Sequence, residues 1–229
     1  MVDQAYDLNR YQKSIFSESK NNINLRTEAL AFDDVLLVPQ YSEIESRANV
    51  NLNQNLDSNI KLKIPIISSP MDTVTEAAMA RSMHELGGLG IIHRYNSISE
   101  QTAMVRDVVM EGVHHPAAAI GVTGDFKERA MELVRSGVNI LCLDVAHGHH
   151  ILMERALKTL KDSYGKSIHL MAGNVATLEG FNDLADWGAD SVRCGIGGGS
   201  ICTTRIQTGH GLPGLATIFE CAKSDRDAK

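Results

Sequence analysis

One pattern governs the chain from Ile64 onward: a short apolar run, a loop, an amphipathic stretch, then the same again. The runs cover 64–68, 89–92, 117–122, 140–143, 168–172 and 191–194. Each is short, apolar and often β-branched, the composition of a strand buried on both faces of a parallel sheet. The stretches between them predict helices. Thr73-Val-Thr-Glu76 and Ser97-Ile-Ser-Glu100 read as capping boxes, in which a hydroxyl and a carboxylate satisfy each other's unpaired amides. Helices over 125–136, 150–163 and 178–187 are closed by Gly137, Gly165 and Gly188, which accept the left-handed conformation of a helix end.

Strict alternation of strand and helix means an α/β fold, and two closures compete. An open, doubly wound dinucleotide-binding sheet would place Gly-x-Gly-x-x-Gly at the first helix, and none stands there. A (β/α)8 TIM barrel keeps its chemistry just beyond the strand ends, where this chain carries Ser69, Asp144, Asn174 and the segment after Cys194. Six units fall short of the eight that close a barrel. The expectation is a truncated or split barrel. Residues 1–24 form a polar N-terminal arm and 25–229 a partial catalytic barrel domain. Its open edges invite association, with a complementing C-terminal chain as one partner.

Composition narrows the classes. A net charge of −6 argues against nucleic acid as a partner. No run approaches the length of a membrane span, and the opening Met1-Val-Asp-Gln is too polar for a signal peptide. Four cysteines show no Cys-x-x-Cys spacing, and Cys142 and Cys194 lie inside apolar runs, where a thiol is usually inert. A reducing cytoplasm is the expected location. His147, His149 and His150 span a turn rather than one helix face, which argues against a metal.

The segment Gly195-Ile-Gly-Gly-Gly-Ser-Ile-Cys202-Thr-Thr-Arg-Ile-Gln-Thr-Gly-His-Gly211 crowds glycines around one cysteine just past an apolar run. Glycines there supply positive φ angles or a close backbone approach. A thiolate on such a loop is a nucleophile whose pKa falls near aligned amides or positive charge, here Arg205 or Arg193. Ser200 and the neighbouring amides suit a phosphate. Arg193 has two readings: a ligand contact, or an internal ion pair with Asp144 or Asp190.

The loop resembles the active-site cysteine loop of the IMP dehydrogenase / GMP reductase family. Four further segments carry the resemblance in order: 31–40 (Ala-Phe-Asp-Asp-Val-Leu-Leu-Val-Pro-Gln), 68–76 (Ser-Ser-Pro-Met-Asp-Thr-Val-Thr-Glu), 87–94 (Gly-Gly-Leu-Gly-Ile-Ile-His-Arg) and 172–175 (Ala-Gly-Asn-Val). The resemblance implies a barrel in which Cys202 adds to C2 of a purine nucleoside monophosphate and Thr204 handles the water or the leaving amine. It implies that Ser69, Met71 and Ser200 contact the nucleotide. Asp144 then binds the nicotinamide riboside, with Asn174, Arg193 and Gly195 around the cofactor. Carbonyls of Gly197, Gly199 and Cys202 match a potassium site. A homotetramer is the family's usual assembly.

Two reactions share that cysteine: oxidation of IMP to XMP with NAD, and NADPH-dependent conversion of GMP to IMP. Ser68-Ser-Pro-Met-Asp72 and Ala146-His-Gly-His149 resemble the dehydrogenase more. Gly112-Val-His-His-Pro116 stands where many dehydrogenases carry regulatory nucleotide-binding modules. The family's later landmarks, an Asp-Gly-Gly turn, a second Gly-Ser phosphate loop and a flap arginine, are not in this sequence. Gly198 and His210 also stand where proline and valine are common. An inactive or split fragment, and a nucleotide-binding module without turnover, are therefore alternatives.

Overall fold

The computed structural model describes residues 28–229; the expected arm over 1–24 lies outside the described residues. After two short 3-10 turns comes a hairpin of β1 (Gln54–Asn55) and β2 (Lys61–Leu62). The repeating units follow as β3 (Ile67–Ser68), α1 (Ala77–Glu85), β4 (Leu89–Ile92), α2 (Ile98–Met110), β5 (Ala117–Ile120), α3 (Phe126–Arg135) and β6 (Ile140–Asp144). Then come α4 (Ile151–Tyr164), β7 (His169–Val175), α5 (Leu178–Asp186), β8 (Ser191–Cys194), α6 (Thr203–Thr208) and α7 (Gly214–Cys221). Among the described residues no helix is long and apolar enough to cross a membrane.

The six strands β3 to β8 pair in parallel and in sequence order. A doubly wound sheet reverses direction at a switch point; an unbroken order winds one way only, as a barrel does. The sheet also curls. Ile67 and Ser68 of β3 and Ser191, Val192 and Arg193 of β8, the outermost strands, line one shared cavity of about 260 Å³. The backbone of Lys229 lies beside β8: its N–H donates to Asp190 O (3.2 Å) and its carbonyl accepts from the Val192 N–H (2.7 Å). Those are the two bonds of a parallel neighbour.

Both faces of the sheet are buried, and the side chains alternate between them with the period of two that a strand imposes. Ile92, Ala118, Ile120, Leu141, Leu143 and Leu170 face outward into a core shared with the helices. Ile91, Ala117, Ala119, Ile140, Cys142 and Met171 face inward. The inner core is completed by Ile60 and Leu62 of the hairpin, with Leu56 packed against them. The hairpin thus plugs the concave side at the N-terminal ends of the strands. Helix and sheet approach closely at Gly90, where a Cβ would stand 2.6 Å from Ala80 Cα.

The Ser97–Glu100 capping box forms as expected: Ser97 N–H donates to the Glu100 carboxylate (2.9 Å) and Glu100 N–H to Ser97 Oγ (3.2 Å). The Thr73–Glu76 box does not. Helix α1 starts at Ala77 with Glu76 as its uncapped N-cap residue. Thr75, inside that stretch, is fully buried and gives its hydroxyl to the preceding loop. The first expected strand, 64–68, shortens to Ile67–Ser68 because Ile66 N–H turns back to Ile64 O (2.9 Å).

A polar relay fastens the plug. His169, first residue of β7, shares a short hydrogen bond through Nδ1 with Asp57, and its Nε2 is 2.8 Å from Ser191 Oγ, first residue of β8. His169 and Ser191 are buried. Burial pushes the Asp57 pKa up, but hydrogen bonds from Asn59, His169 and Ile60 and the His169 charge outweigh it, leaving the net shift downward. A lowered carboxyl pKa stabilises the fold above the unfolded-state value near 3.9, and that contribution disappears as pH falls through the folded value. Asp57→Asn is expected to cost about 1–3 kcal/mol at neutral pH. Urea unfolding checks it: the variant's midpoint should lie lower at neutral pH and converge with the parent's in acid.

Candidate active site

The candidate residues gather at the C-terminal ends of the strands. Asp144 ends β6, Asn174 and Arg193 lie near the ends of β7 and β8, and Ser69 directly follows β3. Ser69 and Arg193 line the same 260 Å³ cavity, so the curl of the sheet brings its first and last strands to one site. Thr75 holds the Ser69 loop in place: its Oγ1 contacts Ser69 O (2.7 Å) and Ser68 Oγ (2.9 Å). Met71 is half exposed (51%) beside that loop, with its N–H donated to Ser69 O (2.9 Å).

Arg193 forms an ion pair with Asp144 through a short hydrogen bond. Of its two readings from sequence, this is the internal pair with Asp144; Asp190 is taken by Lys161 (2.7 Å). Arg193 also approaches Cys142 Sγ at 3.7 Å. Burial pushes the Cys142 thiol up to about 11 despite that guanidinium, so this cysteine is unreactive. Cys194 is likewise pushed up, first by its hydrogen bond with Cys221 and then by burial. Asn174 Nδ2 donates to Gly195 O (2.9 Å) and fixes the exit from β8.

From Gly195 the chain leaves the sheet through two positive-φ glycines, Gly195 (+127°) and Gly197 (+68°), a conformation other residues adopt only with strain. Leu212 N–H donates to Ile196 O (2.9 Å), and a Cβ on Gly197 would stand 2.8 Å from His210 O. The segment between is therefore a compact loop pinched at its base. Cys202 is the N-cap residue of α6. The backbone N–H of Arg205 is the largest influence on its thiol and lowers its pKa; desolvation opposes this, and the Thr204 N–H, the Thr204 hydroxyl and the Arg205 charge add to the lowering, leaving the net shift downward. Arg205 also donates to Ser200 O (3.1 Å), tying the loop across itself. Ser200 is exposed.

Thus the structure joins Ser69 to Arg193, Arg193 to Asp144, Asn174 to Gly195, and Cys202 to Thr204. No hydrogen bond among the described residues links the cysteine loop to Ser69 or to the Arg193–Asp144 pair. His149 Nε2 is 2.8 Å from Asp183 Oδ2, and His150 Nδ1 accepts from Leu152 N–H (3.1 Å) as an N-cap. Gly199 O accepts from Cys202 N–H and Cys202 O from Ile206 N–H, both at 3.1 Å. With Gly197 they offer fewer oxygens than a hard cation gathers, so these residues alone do not complete a potassium site.

The electrostatics predict selective reactivity. Iodoacetamide should alkylate Cys202 with an apparent pKa below the ~8.5 of a free thiol, while Cys142 stays unmodified in the folded chain. Thr204→Val should slow alkylation at neutral pH by removing the hydroxyl donor. Peptide mapping against pH reads both.

Residues 29–229 match the IMP dehydrogenase / GMP reductase domain. The chain is similar to an inosine-5'-monophosphate dehydrogenase of Cryptosporidium parvum, 38% identical over 237 residues, covering 85% of this chain and 58% of the relative. A Borreliella burgdorferi protein of the same name is 35% identical over 242 residues, covering 84% and 59%. A GMP reductase of Leishmania major is 29% identical over 329 residues, covering 86% and 67%. The chain spans somewhat over half the length of the first two of these relatives. A match to the family domain over nearly all the described residues, together with a partial barrel and a cysteine loop at its strand ends, places the chain in the IMP dehydrogenase / GMP reductase family.

Proposed function

We propose that the chain is the nucleotide-oxidising part of an oxidoreductase that converts IMP to XMP with NAD through a covalent adduct on Cys202. The observation that carries this reading is the place of Cys202, the N-cap residue of α6 on a loop pinched at its base beyond the C-terminal end of β8, where the Arg205 and Thr204 amides favour the thiolate. The thiolate attacks C2 of the purine and forms a C–S bond as the C2–N3 π bond opens and N3 takes up the proton given up by the thiol. C2 then carries both hydrogen and sulfur, and the hydrogen leaves with its electron pair. NAD, when bound, supplies the acceptor for that hydride. Water then attacks C2 of the resulting thioimidate, and the C–S bond breaks to return the thiol.

The remaining residues divide the other tasks. The Thr204 hydroxyl, already near the sulfur, accepts a hydrogen bond from the attacking water and orients it, while one proton of that water ends on the departing sulfur and the other passes to solvent. Ser69, Met71 and Ser200 hold the nucleotide, with Ser200 and nearby amides on the phosphate. The residues assigned to NAD fit a polar, partly open site. Asp144 keeps an oxygen beyond the one engaged by Arg193 to accept from a ribose hydroxyl, and Gly195 carries no side chain to fill the space. Arg193 holds the Asp144 side chain in place through their ion pair. Potassium, a homotetramer, a complementing C-terminal chain and a cytoplasmic site of action belong to this reading as proposals.

GMP reductase is the second reading, favoured by the short Glu111–Pro116 link between α2 and β5 and by the similarity to the Leishmania protein. There the same thiolate would displace ammonia and NADPH would be the reductant. Intact mass after incubation with 6-chloro-IMP tests the shared thiolate. A covalent shift is expected, lost in Cys202→Ala; a folded chain with no shift contradicts the reading. Where turnover of IMP with NAD is measurable, Cys202→Ala should abolish it. Thr204→Val should lower kcat about 10²-fold, the scale of general acid–base assistance.

A further inference from the structure

The strand ends opposite Cys202 hold a second concentration of chemistry. Lys61 lies on β2 and Lys63 follows it; His84 sits near the end of α1, and His114 and His115 precede β5. These five residues line one cavity of about 390 Å³. The His84 and His114 rings meet edge to face with centroids 4.9 Å apart. Lys63 is held in place, because its N–H donates to Gly87 O (2.8 Å) and its stem lies over Gly87. Neither lysine has an ion pair among the described residues. The buried Nδ1 of His115 has no hydrogen-bond partner there either.

We propose that this cavity, at the N-terminal ends of β3 to β5, binds a phosphate-class dianion between Lys61, Lys63 and the His84, His114 and His115 rings. The lysines supply fixed charge as point donors. The imidazoles supply N–H groups, one each when neutral and two when protonated. The three rings do not converge as metal ligands: among the described residues no group of three His, Cys, Asp or Glu is placed to hold a metal ion. Acidic opposition is weak. Glu111 and Glu85 also line the cavity, but Glu111 is drawn off by Arg81 (2.9 Å), which also pairs with Asp107, and Glu85 is exposed.

The cationic groups already strain against one another. Burial, then the charges of His114 and Lys63, lower the His84 pKa, with Glu85 opposing. Burial, then His114 and His84, lower that of His115, with Asp57 opposing. A bound dianion relieves that repulsion and raises both values, so binding takes up protons. Affinity therefore rises as pH falls through the imidazole range.

The test is histidine-ring NMR of the whole chain titrated with sodium sulfate, which stays a dianion throughout, at fixed ionic strength and at about pH 6 and about pH 8. Saturable shifts of His84, His114 and His115, with tighter binding at the lower pH, are expected. Lys63→Gln should weaken binding about tenfold, the loss of one charge-assisted hydrogen bond. His114→Gln should reduce the pH dependence. Inorganic phosphate should compete with sulfate. Tighter competition by a nucleoside monophosphate assigns the dianion to a nucleotide, and equal competition assigns it to free phosphate. No saturable shift at either pH overturns the proposal. So does unchanged binding in a Lys63→Gln variant of native circular dichroism.

Discussion

Everything functional here depends on the alternation of side chains across a parallel sheet that is buried on both faces. Outward residues such as Leu141 and Leu143 seat the helices, and inward residues such as Ile140 and Cys142 pack against the hairpin plug. A one-residue slip in β6 would exchange the two sets. The small inward side chains of Ala117 and Ala119 leave room for Leu56, Ile60 and Leu62 on the concave side. That packing accompanies the curl that brings Ser69 to the same cavity as Arg193.

The two ends of the strands carry different kinds of chemistry. At the C-terminal ends, an ion pair, a pinched glycine loop and a thiol of lowered pKa favour anionic sulfur beside hydrogen-bond donors. At the N-terminal ends of β7 and β8, buried polar groups are engaged with one another, unlike those of the lysine–histidine cavity beside β3 to β5. The Asp57–His169–Ser191 relay fixes the plug to the first residues of β7 and β8, and its serine hydroxyl lies in a packed ladder rather than before a substrate. Similar residue types thus serve stability at one end and reactivity at the other, according to burial and to what surrounds them.

Strands 89–92 and 191–194 are legible in the sequence with their observed limits, the first because full burial demands an unbroken apolar run and the second, only half buried, because it falls in the sixth repeat of the strand–helix pattern. So are the ends of α3, α4 and α5, because a glycine closes each. The hairpin is not legible: its strands are two residues each and largely exposed, and only Ile60 and Leu62 are buried, with Leu56 partly so, too few apolar residues to mark a strand in the sequence. The relay escapes as well, since Asp57 and His169 stand 112 positions apart and meet only through the fold. Cys202 stands out by its glycine-rich setting, whereas Thr204 is singled out only by the family resemblance. Thr75, which sets the Ser69 loop, is not singled out in the sequence: the Thr73–Glu76 spacing suggests a capping box, and only tertiary burial gives the neighbouring Thr75 hydroxyl its bond to Ser69 O. The Arg193–Asp144 pair was one of two open readings, and only the register between β6, β7 and β8 selects it.

The most direct test of the central claim, that Cys202 is the nucleophile toward a purine nucleotide, is peptide mass mapping after acid quench of the chain incubated with IMP and NAD. The peptide bearing Cys202 should carry the nucleotide less one hydride, while the peptides bearing Cys142, Cys194 and Cys221 stay unmodified. NADH formation with Cys202 unmodified at every quench time, or with the adduct on another cysteine, would contradict it.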